Sequence, residues 1–268
     1  MKQLAWLTDI HLNFLELPAL KAFMEMLAST TADAFVISGD IAESRDLVGH
    51  LQTIVERVKR PVYFVLGNHD FYRASITGIR AKIRKLCSVT PNLHWMPSTG
   101  VVPLTAEACL IGHDGWSDGR NGDYYGSEVL LNDFGLIEEF DGFFEDPNVR
   151  LAKLNALGDE VAEYFRSVLP QVLARFRHVI VVTHIPPFRE SCQYAGQMTT
   201  DDWLPFMSCK AVGNVLAEIM SAAPDRTMTV LCGHTHVGAE AQILANLRAL
   251  TGQAEYGNPS LQRILDIA

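Results

Sequence analysis

The sequence predicts an α/β fold, and three observations point to it. Short apolar runs end in polar clusters capable of chemistry, segments of helical periodicity follow the early ones, and the same punctuation returns in the second half of the chain. In open α/β sheets ligands bind beyond the carboxyl ends of the strands, so clusters far apart in sequence can converge in one crevice.

Residues 3–7 (QLAWL) run into Thr8-Asp9-Ile10-His11, and Pro18 to Ala28 reads as the first helix. Residues 34–38 (AFVIS) run into Gly39-Asp40, after which Leu47, Leu51, Ile54, Val55 and Val58 mark one apolar helix face. Residues 62–66 (VYFVL) lead into Gly67-Asn68-His69-Asp70. Later, His178 to Val182 leads into Thr183-His184, and Thr227 to Leu231 leads into Gly233-His234-Thr235-His236. The stretch from Asp114 to Asn148 is rich in Gly, Asp and aromatics without a sustained period, and reads as a long loop over the site. Residues 186–209 form a second excursion, with Tyr194 and Trp203. Residues 238–268 are expected to add closing strands, with Gly257-Asn258-Pro259 as a turn.

With 268 residues, 48% hydrophobic and 20% charged, the chain lies in the ordinary globular range. No Pro/Gly/Ser-rich linker divides it, so one domain over residues 1–268 is expected, with insertions at about 114–148 and 186–209. The net charge of -9 disfavours nucleic acid as a partner beyond short single strands, because duplexes are met by basic faces. The densest basic stretch, Arg73 to Lys85, has helical spacing and reads as a solvated face. Five cysteines with no C-x-x-C pair suggest reduced, mostly buried thiols. The opening MKQLAWLTDIHL carries no charged leader, and no segment reaches the length of a membrane span. The expectation is a cytoplasmic protein with no membrane partner.

Taken singly, each cluster has a plain structural reading: Asp9-x-His11 as a strand end, Gly39-Asp40 as a turn and helix cap, His184 as a core histidine. Their conjunction carries the weight. Five of the nine histidines (His11, His69, His184, His234 and His236) follow apolar runs, beside Asp9, Asp40, Asn68 and Asp70. Imidazole and carboxylate are the usual ligands of first-row divalent metals. In an extended backbone, alternation would point Asp9 with His11, and His234 with His236, to a common side.

The ordered set D-x-H (Asp9, His11), G-D (Gly39, Asp40), G-N-H-D (Gly67 to Asp70), T-H (Thr183, His184) and G-H-x-H (Gly233 to His236) resembles the calcineurin-like metallophosphoesterases. The resemblance implies a four-layer αββα sandwich with a dinuclear metal site at the carboxyl ends of the strands. It implies that Asp9, His11 and His236 hold one ion, that Asn68, His184 and His234 hold the other, and that Asp40 bridges them. Two divalent ions such as Mn, Fe or Zn suit this mixed ligation. The implied reaction is hydrolysis of a small-molecule phosphodiester or phosphomonoester by a hydroxide activated between the metals, with His69 as general acid. Such a centre keeps net positive charge and attracts an anion despite the acidic whole.

Protein Ser/Thr phosphatases of this family carry G-D-x-x-D-R-G in the second block, whereas this chain has Gly39-Asp40-Ile41-Ala42-Glu43-Ser44-Arg45. Glu43 takes the place of the aspartate that orients the catalytic histidine, and Ser44 that of the arginine that grips phosphate. A protein phosphatase is therefore disfavoured, and the D-I-H-L opening looks more like the bacterial phosphodiesterase branch. Substrate selection is expected in the first long loop region, where His113, Arg120 and Tyr124 are candidates for binding substrate. A non-catalytic scaffold would be marked by lost ligands, and a nuclease by salt-sensitive cleavage of oligonucleotides.

Overall fold

The computed structural model describes residues 1–141, 146–194 and 196–267. Residues 142–145 of the first expected insertion, residue 195 of the second and residue 268 lie outside the described residues. The first third alternates strand and helix: β1 (Gln3–Leu7), α1 (Leu17–Ser29), β2 (Ala34–Ser38), α2 (Leu47–Val58), β3 (Val62–Val65), α3 (Ile76–Ser88) and β4 (Leu93–Trp95). A single turn, α4 (Met96–Thr99), leads to β5 (Val102–Pro103) and β6 (Ala108–Gly112). Next come α5 (Asp133–Leu136), the long α6 (Pro147–Arg175) and β7 (His178–Val182). The short pair β8 (Gln193–Tyr194) and β9 (Gln197–Met198) precedes α7 (Leu204–Met207) and α8 (Lys210–Ser221). The chain then forms β10 (Thr227–Cys232), β11 (Ala239–Leu244), β12 (Leu247–Thr251) and β13 (Arg263–Asp266).

Two sheets result. The first has the order β13-β1-β2-β3-β4, parallel except for β13; the second has the order β11-β12-β10-β7-β6-β5, parallel except for its edges β11 and β5. Parallel strands covered on both faces read as continuous apolar runs, as AFVIS and HVIVV do. The pleat sends Leu4, Trp6, Val36 and Val65 toward Leu110, Val182, Leu231 and Leu250 of the other sheet. Ala5, Leu7, Phe35 and Phe64 instead meet Phe23, Leu51, Ile54 and Ile83 of α1, α2 and α3. On the far side, Ile111, Val179 and Val230 pack against Phe165 and Leu169 of α6 and Leu216 of α8. Helix, sheet, sheet, helix is the expected four-layer sandwich.

The stretch from Asp114 to Asn148, expected to be irregular, contains α5, a 3-10 turn at Glu138–Phe140 and the first residues of α6. The basic stretch does form the helix α3, but Arg80 is drawn inward by Asp114 and Glu160. All five cysteines are free, and four of them are buried. No helix of the described residues is long and apolar enough to cross a membrane.

Candidate metal centre

The loops that leave β1, β2, β3, β7 and β10 meet at the carboxyl ends of the two sheets. They are tied to one another by backbone bonds: Asp9 N–H donates to Gly39 C=O, His11 N–H to Asp40 C=O, and Gly233 N–H to His184 C=O. Asp70 is fully buried and acts as a clamp, its carboxylate accepting from the N–H groups of Ile41, Ala42 and Gly67. The Asp9 and His11 pair, and the His234 and His236 pair, do not reach inward by extended alternation. Asp9, His11, Asp40, His234 and His236 all have left-handed backbones, with φ between 40° and 70°. Non-glycine residues in that region are strained and cluster at functional sites. Each carboxylate also backs onto a glycine: a Cβ on Gly67 would lie 2.2 Å from Asp40 Oδ1, and one on Gly233 would lie 2.0 Å from Asp9 Oδ2. The motif glycines are there because the acidic side chains occupy the space of their missing side chains.

Asp9, His11, Asp40 and His236 each offer a ligand atom, all within 4.8 Å of one another. His11 Nε2 lies 3.1 Å from His236 Nε2 and 3.8 Å from Asp40 Oδ2, and His236 Nε2 lies 3.4 Å from Asp9 Oδ1. Asp9 is fixed by the His234 N–H and the Thr8 hydroxyl. Burial holds His11 down at about 4, so it is a neutral imidazole near neutral pH. Burial alone would raise Asp40, but His184, His69 and His11 hold it well below the usual carboxylate range.

A second set stands on the other side of Asp40. His184 Nδ1 donates to the Ser38 carbonyl at 2.8 Å, which leaves Nε2 as the lone-pair nitrogen. That nitrogen faces two oxygens, Asn68 Oδ1 at 3.0 Å and Asp40 Oδ1 at 3.4 Å. His234 Nε2 likewise donates to the Phe206 carbonyl, so the Nδ1 lone pair faces the same Asn68 oxygen at 3.0 Å. Acceptors converging on acceptors need a cation among them, and backbone carbonyls that fix the tautomers are the usual outer partners of metal-binding histidines. Without a cation the burden falls on protons: burial lowers His184, but Asp40 outweighs it and lifts the imidazole to about 10. Burial and the charge on His184 lower His234 to about 4. The donor chemistry therefore fits a second ion as well as the first.

His69 stands at the edge of both sets. Its Nε2 is 3.9 Å from Asp40 Oδ2, and its N–H donates to Asp40 Oδ1. Glu43, expected to orient it, accepts instead from Arg73 Nε at 3.0 Å. The His69 ring leans on Tyr72, with centroids 4.3 Å apart. Sequence reasoning missed three residues here. Tyr72 donates its hydroxyl proton to Asp133, Asp133 also accepts from Asn68 Nδ2, and Tyr256 lies against the rings of His11 and His236. Tyr72 has a local signal, two positions after Asp70. Asp133 and Tyr256 have none.

A cleft of about 1040 Å³ opens from Asp40, Asn68, His69, His234 and His236. None of the three residues expected to bind substrate lines it. His113 is buried and packs on Tyr164, Arg120 pairs with Asp118 and Asp159, and Tyr124 is buried with its hydroxyl bonded to Arg150 and the Pro147 carbonyl. The walls come instead from residues 130–133 and from the second excursion, including Tyr194, Met198 and Trp203.

The family model for calcineurin-like phosphoesterases matches residues 3–238. No curated protein sequence matches the chain. Among solved structures, the phosphopantetheinyl hydrolase of Mycobacterium tuberculosis is similar with a TM-score of 0.70 at 14% identity, over 95% of this chain and 90% of that one. A dimetal phosphatase from Danio rerio gives 0.59 at 11% identity, over 96% and 89%. GAP50, the anchor in the inner membrane complex of Plasmodium, gives 0.51 at 14% identity, over 99% and 78%. At such identities these likenesses show the fold alone. The family match does more, since it takes in every motif block from Asp9 to His236: the chain belongs to the calcineurin-like phosphoesterase family.

Proposed function

We propose that this chain hydrolyses a small-molecule phosphate ester, monoester or diester, using water activated by two divalent cations. The observation that carries the reading is the division of Asp40, whose Oδ1 faces His184 and whose Oδ2 faces His11. One carboxylate thus serves two donor sets. Asp9, His11, His236 and Asp40 would hold one ion, and Asn68, His184, His234 and Asp40 the other, with Mn, Fe and Zn all suited to the donors. Cations bound there would lower the pKa of a shared water and offset charge on the phosphoryl oxygens.

The chain's own groups supply position and protons. The N–H groups of His69 and His234 hold the two carboxylates in place. His69 sits where the cleft meets Asp40, and it would carry the proton for the departing oxygen. Tyr72, rather than Glu43, sets the plane of its ring. Fold likeness to an anchor protein keeps a scaffold role as the rival, and intact donor sets speak against it.

The test joins elemental analysis to a hydrolysis screen of the metal-reconstituted chain on monoesters and diesters. Two ions per chain and turnover of an ester are expected, with both lost in Asp40→Ala. Two ions retained by Asp40→Ala, or no ester cleaved by the loaded protein, would overturn the reading.

A further inference from the structure

We infer that the substrate carries its single phosphoryl group on an uncharged, partly apolar organic arm, and that the arm lies along the wall formed by residues 193–194 and 197–207. The inference rests on the hydrolytic reading above and adds the class of molecule. The cleft of about 1040 Å³ is as large as the sites that enclose whole drug-sized ligands. A phosphoryl group at the metal centre would fill a small part of it, so the remaining volume receives the rest of the molecule.

The lining settles the charge of that remainder. It contains no Lys or Arg among the described residues, and its carboxylates are Asp40 and Asp133. The guanidinium groups on the adjoining segments, Arg73 and Arg189, form surface pairs with Glu43 and Asp201 and do not line the cleft. Away from a metal, such cations are the favoured side-chain partners of phosphate. A second phosphate would find none, in a chain whose net charge is -9.

The same wall is apolar where it meets solvent. The large apolar side chains exposed among the described residues number ten, and five of them (Leu130, Tyr194, Met198, Trp203 and Tyr256) line this one cleft. Tyr194 is 72% exposed and Trp203 43%. Apolar exposure concentrated at a polar-rimmed pocket marks a binding surface. Between these side chains, Asn132, Gln193, Gln197 and Thr199 offer neutral hydrogen bonds. An arm with amide or hydroxyl groups and an apolar or aromatic end matches both features, whereas nucleoside polyphosphates and oligonucleotides match neither.

The test uses the full metal-loaded chain and three phosphonates that cannot be hydrolysed: methyl phosphonate, a phosphonate with a neutral N-benzyl amide arm, and one whose arm ends in a carboxylate. Calorimetry should show the benzyl amide binding at least about tenfold more tightly than the methyl compound, a difference readily resolved in Kd. The acid-ended compound should gain nothing. Trp203→Ala should remove most of the gain, and the exposed double change Tyr194→Ala with Met198→Ala covers the case in which Trp203→Ala fails to fold. Gln197→Lys should tighten the acid-ended compound selectively. Tightest binding of the acid-ended compound, or an unchanged ratio in the variants, would overturn the inference. Self-association abolished by Tyr194→Ala would assign the wall to a second copy of the chain and also overturn it. Hydrolysis of the matching benzyl amide and methyl esters separates the two readings. Binding preference without turnover would sink the hydrolytic reading alone, and turnover without preference would sink the arm alone.

Discussion

Removing the Asp133 side chain should weaken metal binding while barely touching the stability of the metal-free protein. Asp133 Oδ1 accepts from Asn68 Nδ2 at 2.8 Å and from the Tyr72 hydroxyl at 2.8 Å, and this turns the Asn68 oxygen toward His184 and His234. In Asp133→Ala the amide can flip. Its NH2 would then donate to the lone pair of His234 Nδ1, its oxygen would accept from the Tyr72 hydroxyl, now 3.2 Å from Nδ2, and the Nε2 proton of metal-free His184 would stay with Asp40 Oδ1. The flipped state replaces the lost bonds, so the metal-free chain should lose no more than about 1 kcal/mol. Binding an ion requires the amide to flip back and forfeit about two hydrogen bonds, each worth about 0.5–1.5 kcal/mol. That is roughly a 10–100-fold loss of affinity, the range seen when outer partners of metal ligands are removed. Calorimetric titration of the metal, paired with melting of the chelator-treated protein, reads both quantities. Asp133→Asn keeps an acceptor oxygen and should recover much of the affinity. Equal destabilisation with and without metal, or unchanged metal affinity in Asp133→Ala, would refute the reasoning.

Three further outcomes follow from other parts of the molecule. His69→Ala should lose about 10²–10⁴-fold on an alkyl ester but much less on a p-nitrophenyl ester, with metal content intact; equal losses on both esters would remove the proton from its role. Gly67→Ala would place a Cβ 2.2 Å from Asp40 Oδ1, so it should cost about 1–3 kcal/mol by overpacking and deplete both ions, whereas Gly49→Ala in α2, with open space around it, should lower neither melting temperature nor metal content. Asp33 accepts from the N–H of Lys2 and then of Gln3, which lowers its pKa below 3.8. A folded value below the unfolded one adds stability above pH 3.8 and loses it as pH falls through the folded value, so the stability gap between the native chain and Asp33→Asn should close in acid; a constant gap would contradict this.

The five motif-bearing strands β1, β2, β3, β7 and β10, and α2, were legible because their signals are local: continuous apolar runs, and five apolar positions at helical spacing that all prove buried, whereas β4, β5 and β6 end in no such motif and were not among the expected elements. The ligand residues were legible for the same reason, each sitting beside a strand end. What escaped depends on tertiary partners. Glu43 lies at the position of an orienting acid, yet Arg73 is close enough to take its carboxylate, and no pattern in either block reports that choice. Arg120 and Tyr124 have the chemistry of substrate binders, but Asp159 and Arg150 on α6 engage them; α6 itself does carry a helical period in Leu154, Leu157, Val161, Phe165, Leu169 and Val172, with Pro170 inside it, yet that period does not report which loop residues the helix will hold. Asp133 gains meaning only when α5 folds back onto Asn68. The extended geometry expected at Asp9-x-His11 and His234-x-His236 was overridden by the left-handed backbone that brings their side chains to the same place.

Asp9, His11, Asp40 and Asn68 come from the first sheet's loops, while His184, His234 and His236 come from the second's. Neither proposed ion can complete its shell from one sheet. An occupied centre would therefore act as a rivet across the seam, and its integrity would report registry between the two sheets. Slippage of the inter-sheet layer would register first as a change in the grip on the ions. A core substitution at Trp6 or Leu231 could in this way be detected by metal content before any loss of secondary structure.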